Sequence, residues 1–467
     1  MEQANERQGE PGAAGLVPRL GLFTAVTLVI GSMIGSGIFK KTAVMAGELH
    51  SAWLVLAAWV LGGLVTLVGA LTNAEISSMI PATGGQYVYF RRIYNDFFGY
   101  LYGWAIFAVI QTGSIASIAY VFAEYSGYFL PLPRLAPQWE AITFSLGGVI
   151  TIAPFAELST RLLTVATILL LTGVNCLGVA IGGALQDVFT LAKLAAIALI
   201  IVLGFTASGG SLAHLASTGS SAPPGTFLAL VGAMGLALSG AFWAYDGWNN
   251  ITYVAGEVRQ PQRNIPRALV IGTVVVIAVY VLTNLAYLYV LPLAQIEGSK
   301  LVAADVARSF LGWAGGAFVA ATVMVSTFGT TNGTTLLSAR MYFAMARDGL
   351  FFRRVGTIHR RFRTPHVALL VQGIWASLLV FTGTFDQLTD MLIFVSWAFY
   401  AAGAAGVFVL RRKMPDAPRP YRVPGYPWLP AIFVLFATAY VAVSLVQSPR
   451  NSLFGLLLVA LGLVPYF

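Results

Sequence analysis

The sequence predicts an all-α membrane protein with twelve transmembrane helices. Hydrophobic residues make up 58% of the 467 positions and charged residues only 10%, against roughly 25% charged in soluble domains. Twelve separate windows reach the ~20 apolar residues that a helix needs to cross a bilayer. Most Lys and Arg fall in alternate connections between these windows, as expected of a chain threaded back and forth.

The windows begin near Leu20, Trp53, Phe97, Leu162, Leu185, Phe227, Ala268, Trp313, Val367, Leu388, Leu429 and Ser452. Residues 1–19 are polar and read as a cytoplasmic tail, with no short signal-type apolar core. "VMAG" at Val44–Gly47 faintly resembles a cleavage site. The apolar run before it is too long for a signal peptide, so the first helix is expected to be retained. The stretch Ala141–Glu157 is moderately apolar, but it contains Pro154 and is flanked by Glu140 and Arg161. It reads as a folded external loop, with a re-entrant or spanning segment as the alternative. Cys176 is the one cysteine, so no disulfide can form within the chain.

With the N-terminus inside, 19 of the 27 Lys and Arg lie in cytoplasmic segments. Lys40, Lys41, Arg134, Arg161, Lys300, Arg308 and Arg450 lie outside, and Lys193 lies within a span. Both termini are therefore expected in the cytoplasm. A further span at Ala141–Glu157 would invert every later loop. The net charge of +9 follows from the same bias. The basic run "RRVGTIHRRFRTP" (Arg353–Pro365) has no aromatic interleaving of the kind single strands stack on. It reads as a loop near anionic lipid, and no nucleic acid is expected as a partner.

Two windows are interrupted. "GSMIGSGIF" (Gly31–Phe39) places glycines and serines inside an apolar run, where each glycine costs about 1 kcal/mol against alanine. "FWAYDGWNN" (Phe242–Asn250) places an aspartate, a glycine and two asparagines in the sixth window. Irregular backbone survives at membrane depth only where it lines a cavity or is buried in protein. Paired breaks in corresponding halves point to a transporter site on an inverted repeat. Free N–H groups at Gly35–Gly37 suit an anion, and free carbonyls near Trp243–Asp246 suit a cation. A ligand with a carboxylate and an ammonium on one carbon, an α-amino acid, satisfies both. The competing reading of "GSMIGSG" is a small-residue packing surface, since Gly31 and Gly35 have GxxxG spacing; the second break weighs against it.

Lys193 lies near the middle of the fifth window. A cation there costs at least about 2.5–3.5 kcal/mol, and both ends are too distant for easy snorkelling. It reads as a fixed ammonium bridging the broken first helix to its neighbours, where a sodium-coupled relative would hold Na⁺; a nearby metal cation would be repelled. Asp246 is either a cap for the half-helix that follows or a substrate contact. Trp243 is either a lid or a packing aromatic. Glu75 is expected to have a structural partner. The histidines, His50, His214, His359 and His366, are scattered without metal-type spacing, and no phosphate loop is present. Nothing points to an enzyme, a metal or a cofactor.

At these residues the chain resembles the amino acid–polyamine–organocation transporter superfamily, and within it the L-type amino acid transporter branch, especially its bacterial serine/threonine exchangers. The resemblance runs from about Leu20 to Phe467. It is carried by "VIGSMIGSGIF", "PATGGQYVYF" (Pro81–Phe90), "FTLAKLAAIALIIVLG" around Lys193, "FWAYDGWNNITYVAGEV" with "PQRNIPRAL", and "RPYRVPGYPWLP". It implies a LeuT-type five-plus-five inverted repeat, with residues 20–204 and 226–410 as the two halves and residues 428–467 as two extra helices. It implies alternating access without sodium at the cell membrane. By matching position, Ile34, Gly35, Ser36 and Gly37 would bind the carboxylate. Carbonyls of Trp243, Ala244 and Asp246 would bind the ammonium. Trp243 would be the gate and Asn249 would couple substrate to the helix break. Animal members carry glycine at Asp246, and they pair with a heavy chain through an external-loop cysteine that this chain lacks, so no such partner is expected. The expected substrates are small or mid-sized neutral L-amino acids, exchanged across the bilayer. The alternatives are proton-coupled uptake, which members with the same lysine perform, and a non-transporting amino acid sensor.

Overall fold

The computed structural model describes residues 20–146, 150–177, 179–207 and 209–466, with side chains described at all of these except 146, 150–151 and 179–187. The tail predicted for residues 1–19 lies outside the described residues. The chain is a helical membrane protein. The first window forms α1 (Leu22–Met33) and α2 (Gly37–Leu49), bent by 40° at Ile34–Ser36. There follow α3 (Ala52–Met79), the short α4 (Gln86–Ile93), and α5 (Asp96–Ala105) continuing through a π-turn into α6 (Gln111–Ser126). Next come α7 (Leu158–Leu177), α8 (Val179–Thr206), α9 (Phe227–Tyr245), α10 (Pro261–Val290) and α11 (Val302–Arg347). The last four are α12 (His366–Leu379), α13 (Phe385–Lys413), α14 (Trp428–Gln447) and α15 (Pro449–Ala460).

Every predicted window holds a helix. Among the described residues, ten helices are long and apolar enough to cross a membrane, or eleven if the bent pair α1–α2 is one span. The remaining window is α12, only 14 residues long. Pro365 precedes it, and "FTGT" (Phe381–Thr384) follows before the capping box of Thr384 and Gln387 starts α13. The Ala141–Glu157 stretch contains no membrane-length helix. Phe144–Leu146 (β1) pairs antiparallel with Ile150–Ile152 (β2).

Local sequence explains the irregular points. α9 stops at Asp246, whose ψ of 157° is extended, and Gly247 follows with φ +93°. A 3₁₀ stretch, Asn250–Glu257, kinked at Val254, carries the chain onward. Within α11, Gly312 takes φ 62° and kinks the helix. The α5–α6 span is almost wholly buried, whereas α14 is mostly exposed. Residues 33–37 at the first break and 247–250 at the second are buried, so the polar groups that the breaks leave free face protein, as lipid demands.

Glu75, buried near the end of α3, accepts both Arg411 Nε (2.9 Å) and Nη2 (2.8 Å) and the Val423 N–H (2.8 Å). This clasp ties α3 to α13 and to the segment that leads into α14. Lys41, counted above among external charges, is buried within α2 and donates to Asp386 (2.6 Å) and Thr389 (2.8 Å) of α13.

Candidate functional site

Breaking a helix orphans carbonyls on one side of the gap and amides on the other. At the α1–α2 break the Gly35 N–H turns back to Met33 O (2.9 Å), so Gly31 O loses its regular partner. Lys193 supplies a replacement. Its Nζ donates to Gly31 O (3.0 Å), Ile34 O (2.7 Å) and Thr330 Oγ1 (2.9 Å), using all three of its protons on α1, the break and α11. Lys193 is 1% exposed.

The second break docks onto the first. Tyr280 of α10 directs its hydroxyl at both Met33 O (2.8 Å) and Ala244 O (2.9 Å). A Cβ on Gly247 would lie 2.8 Å from Ser32 O, and one on Gly37 would lie 2.5 Å from both Cα and Cβ of Ala244. Glycine at these two positions is thus a condition for bringing α2 and the end of α9 together. Gly35 differs, because a Cβ there meets only Thr330 Cγ2 at 3.4 Å.

Between the breaks lies a cavity lined by Gly35, Ser36 and Gly37 of the first, Trp243, Asp246, Gly247 and Asn250 of the second, and Gln111, Ser114 and Thr334 of α6 and α11. It measures about 20 Å³, room for roughly one water molecule. Admitting an amino acid therefore requires its walls to part. The structure thus brings most of the sequence-predicted residues to one place. Ile34 and Ala244 stand behind the wall, with carbonyls engaged by Lys193 and Tyr280. A second lone pair remains on each carbonyl oxygen. Asn249 is buried outside the lining set. Its neighbour Asn250 lines the cavity and accepts Gln111 Nε2 at 3.2 Å. The Asp246 carboxylate accepts the Tyr400 hydroxyl at 2.7 Å. Sequence reasoning missed Tyr280, Thr330, Gln111 and Thr334. Of these, only the α11 residues carried a signal, the polar run "STFGTTNGTT" (Ser326–Thr335) within an apolar span.

Side-chain contacts flank the cavity on two sides. On one side Trp243 donates Nε1 to Ser36 Oγ (3.3 Å), and its ring meets Phe385 edge-on at 5.9 Å. Phe385 in turn has Lys40 Nζ 4.5 Å and Lys41 Nζ 4.7 Å from its ring centre. Lys40 is paired with Glu124 at 2.5 Å. On the other side Tyr102 donates to Gln86 (2.7 Å), Arg340 pairs with Glu257 (2.9 Å), and Leu20 N–H reaches Glu257 O (2.9 Å). Among the described residues, no group of three His, Cys, Asp or Glu is placed to hold a metal ion.

The family model described as amino acid permease matches residues 20–464. The chain belongs to the amino acid permease family. This permease is 31% identical to the serine/threonine exchanger SteT of Bacillus subtilis (strain 168) over 97% of both chains. It is 30% identical to the human b(0,+)-type amino acid transporter 1, covering 98% of this chain and 89% of that protein. It is 33% identical to the human large neutral amino acids transporter small subunit 2, covering 98% and 81%. The permease is thus a multi-pass membrane transporter and not an enzyme.

Proposed function

We propose that this permease is a sodium-independent exchanger of small or mid-sized neutral L-amino acids, working by alternating access at the cell membrane with both termini in the cytoplasm. The observation that carries the sodium independence is the Lys193 ammonium on Gly31 O, Ile34 O and Thr330. A fixed cation there supplies the charge that a bound Na⁺ would otherwise bring to the broken helix. The names of its relatives support exchange and neutral substrates.

In this reading the amides at the start of α2, around Ser36 and Gly37, hold the substrate carboxylate with the helix N-terminus behind them. The carbonyls of Trp243, Ala244 and Asp246 hold the ammonium. Trp243 closes over the ligand, and Asn249 couples ligand binding to the break. Residues 20–204 and 226–410 act as the two repeats of a twelve-span fold, with residues 428–467 as two added helices. Cys176 sits half-buried in α7, and the reading includes no disulfide-linked heavy chain. Among the described lining residues Asp246 is the one acid. Its carboxylate is already engaged by Tyr400, so arginine should compete poorly.

The test is uptake of labelled serine into proteoliposomes. Uptake should need internal amino acid and be indifferent to replacing Na⁺ by K⁺. It should change little with an imposed pH gradient. Strong uptake into empty vesicles driven by an inward proton gradient would replace exchange by proton coupling, with Lys193 as the candidate proton carrier. Binding without any flux would favour a sensor. Competition by arginine as strong as by alanine or serine would overturn the neutral selectivity.

A further inference from the structure

A second cavity, about 350 Å³, lies between α5, the turn after α11 and the residues that follow α15. Tyr100, Trp104, Phe351, Phe352, Arg353 and Tyr466 line it. Its wall is aromatic: Tyr100 and Tyr466 rings meet at 4.8 Å, and Trp104 and Phe351 at 6.2 Å. The polar ends of the two α5 residues are spent inside the protein, Tyr100 Oη donating to Gly462 O (2.6 Å) and Trp104 Nε1 to Leu458 O (2.9 Å). Arg353 is the one charged side chain in a lining otherwise made of these rings with Gly349, Leu350 and Pro465.

The surroundings differ on two sides. Leu461, Leu463 and Val464 are exposed next to Tyr466, which in a membrane protein places apolar side chains among acyl chains. Arg353 and Arg354 are exposed at the other lip, and Arg360, Arg361 and Arg363 follow, all exposed. No Asp or Glu occurs between Asp348 and Asp386. Asp348 itself is occupied by Arg91 Nη1 (2.5 Å) and the Tyr87 hydroxyl (2.8 Å). Among the described residues no carboxylate lies within ion-pair distance of Arg353 or Arg354.

We propose that this cavity binds an anionic glycerophospholipid, with an acyl chain against the aromatic wall and the phosphate on Arg353, Arg354 beside it. An aromatic cleft that opens toward lipid and carries an unpaired guanidinium at its lip matches a molecule that is apolar at one end and anionic at the other. A free phosphate leaves the aromatic wall without a partner, and a zwitterionic lipid brings no net charge to the arginines. The aromatic wall also favours a bound lipid over a diffuse counter-ion layer, which would leave the rings uncovered.

The test is titration of the delipidated full-length protein in detergent with dioleoyl phosphatidylglycerol or dioleoyl phosphatidylcholine, read by native mass spectrometry and by thermal unfolding. Phosphatidylglycerol should bind in preference to phosphatidylcholine and raise the melting temperature. Arg353→Gln should weaken phosphatidylglycerol binding by about fivefold, the loss expected for one basic side chain at an anionic headgroup, while phosphatidylcholine binding stays as it was. Trp104→Leu serves as a second variant, and should reduce retention of the long-chain lipid while leaving Arg353 in place. Equal affinity for the two lipids, or an Arg353→Gln protein that binds phosphatidylglycerol as the wild type does, would overturn the proposal. So would displacement of the lipid by inorganic phosphate at matched concentration, which would assign the arginines to a soluble anion.

Discussion

The Nζ of Lys193 lies 2.7 Å from the carbonyl oxygen of Ile34, joining the middle of α8 to the gap between α1 and α2. The bond satisfies a carbonyl that the helix break has orphaned and gives polar ligands to a cation that bare lipid would not tolerate. Each group is the other's reason for being there. Lys193→Ala leaves Gly31 O and Ile34 O short of a donor, at about 1–3 kcal/mol. The variant should reach the membrane, transport poorly and remain independent of sodium. Arginine should not restore activity, because its planar fork cannot place three protons on three converging oxygens. Surface expression and initial uptake rates in parallel would check this, and full activity of Lys193→Ala would defeat it.

The two glycines of the break should behave differently. At Gly37 an added Cβ lies 2.5 Å from backbone and side chain of Ala244, while at Gly35 it meets a methyl at 3.4 Å. Gly37→Ala should therefore cost about 1–3 kcal/mol through overpacking, lower the melting temperature and abolish uptake. Gly35→Ala should fold normally, and any loss should appear in substrate affinity alone. Thermal unfolding beside uptake kinetics separates the cases, and equal stability of the two variants would contradict the packing argument.

The features legible in the sequence were those that violate the rules of an apolar span. Lys193, Gly35, Gly37 and Asp246 stand in runs where charge, glycine or polarity is costly, so their cost marked them, while Trp243 was marked by its place at the second break. Tyr280 gave no such signal, because a tyrosine among aliphatic residues reads as packing and its partner Met33 lies 247 residues away. The burial of Lys41 gave no signal for a similar reason, since its partner Asp386 lies 345 residues on. Local chemistry does not separate Asn249 from Asn250, and the resemblance alone favoured Asn249. Only the backbone turn after Gly247 decides which one lines the cavity.

Phe385 should act as a plug above Trp243. It holds the Trp243 ring at 5.9 Å while Lys40 and Lys41 sit over its face. Opening this side must therefore part α2 from α13. Losing the aromatic pair and the two cation–π contacts, each worth about 0.5–1.5 kcal/mol, should raise the open population at least about tenfold. The measurement is the rate at which a membrane-impermeant thiol reagent, applied on the Lys40 face, modifies Ser36→Cys in a Cys176→Ser background. Phe385→Ala should speed it, and Phe385→Tyr should not. An unchanged rate would remove Phe385 from the path.

Acidification should loosen the clasp at the end of α2. His50 Nδ1 lies 2.8 Å from Glu297 Oε1, and the Ser220 N–H donates to Glu297 Oε2 at 2.7 Å. His50 O also accepts the Gly219 N–H at 3.0 Å, so one loop and the helix end are held together. Burial alone would raise the Glu297 carboxyl, but the bonds from Ser220 and His50 outweigh it and hold the group below its usual 4.5. A carboxyl depressed in the folded state adds stability that is fully present above the unfolded value, and that stability is lost as pH falls through the folded one. The wild type should therefore lose melting temperature on acidification from about pH 5 downward. Glu297→Gln should start lower at neutral pH and show a shallower decline. His50→Gln should lie between them, because it keeps the Ser220 bond. Melting curves taken across that range for the three proteins decide the matter, and parallel slopes for wild type and Glu297→Gln would place the acid sensitivity elsewhere.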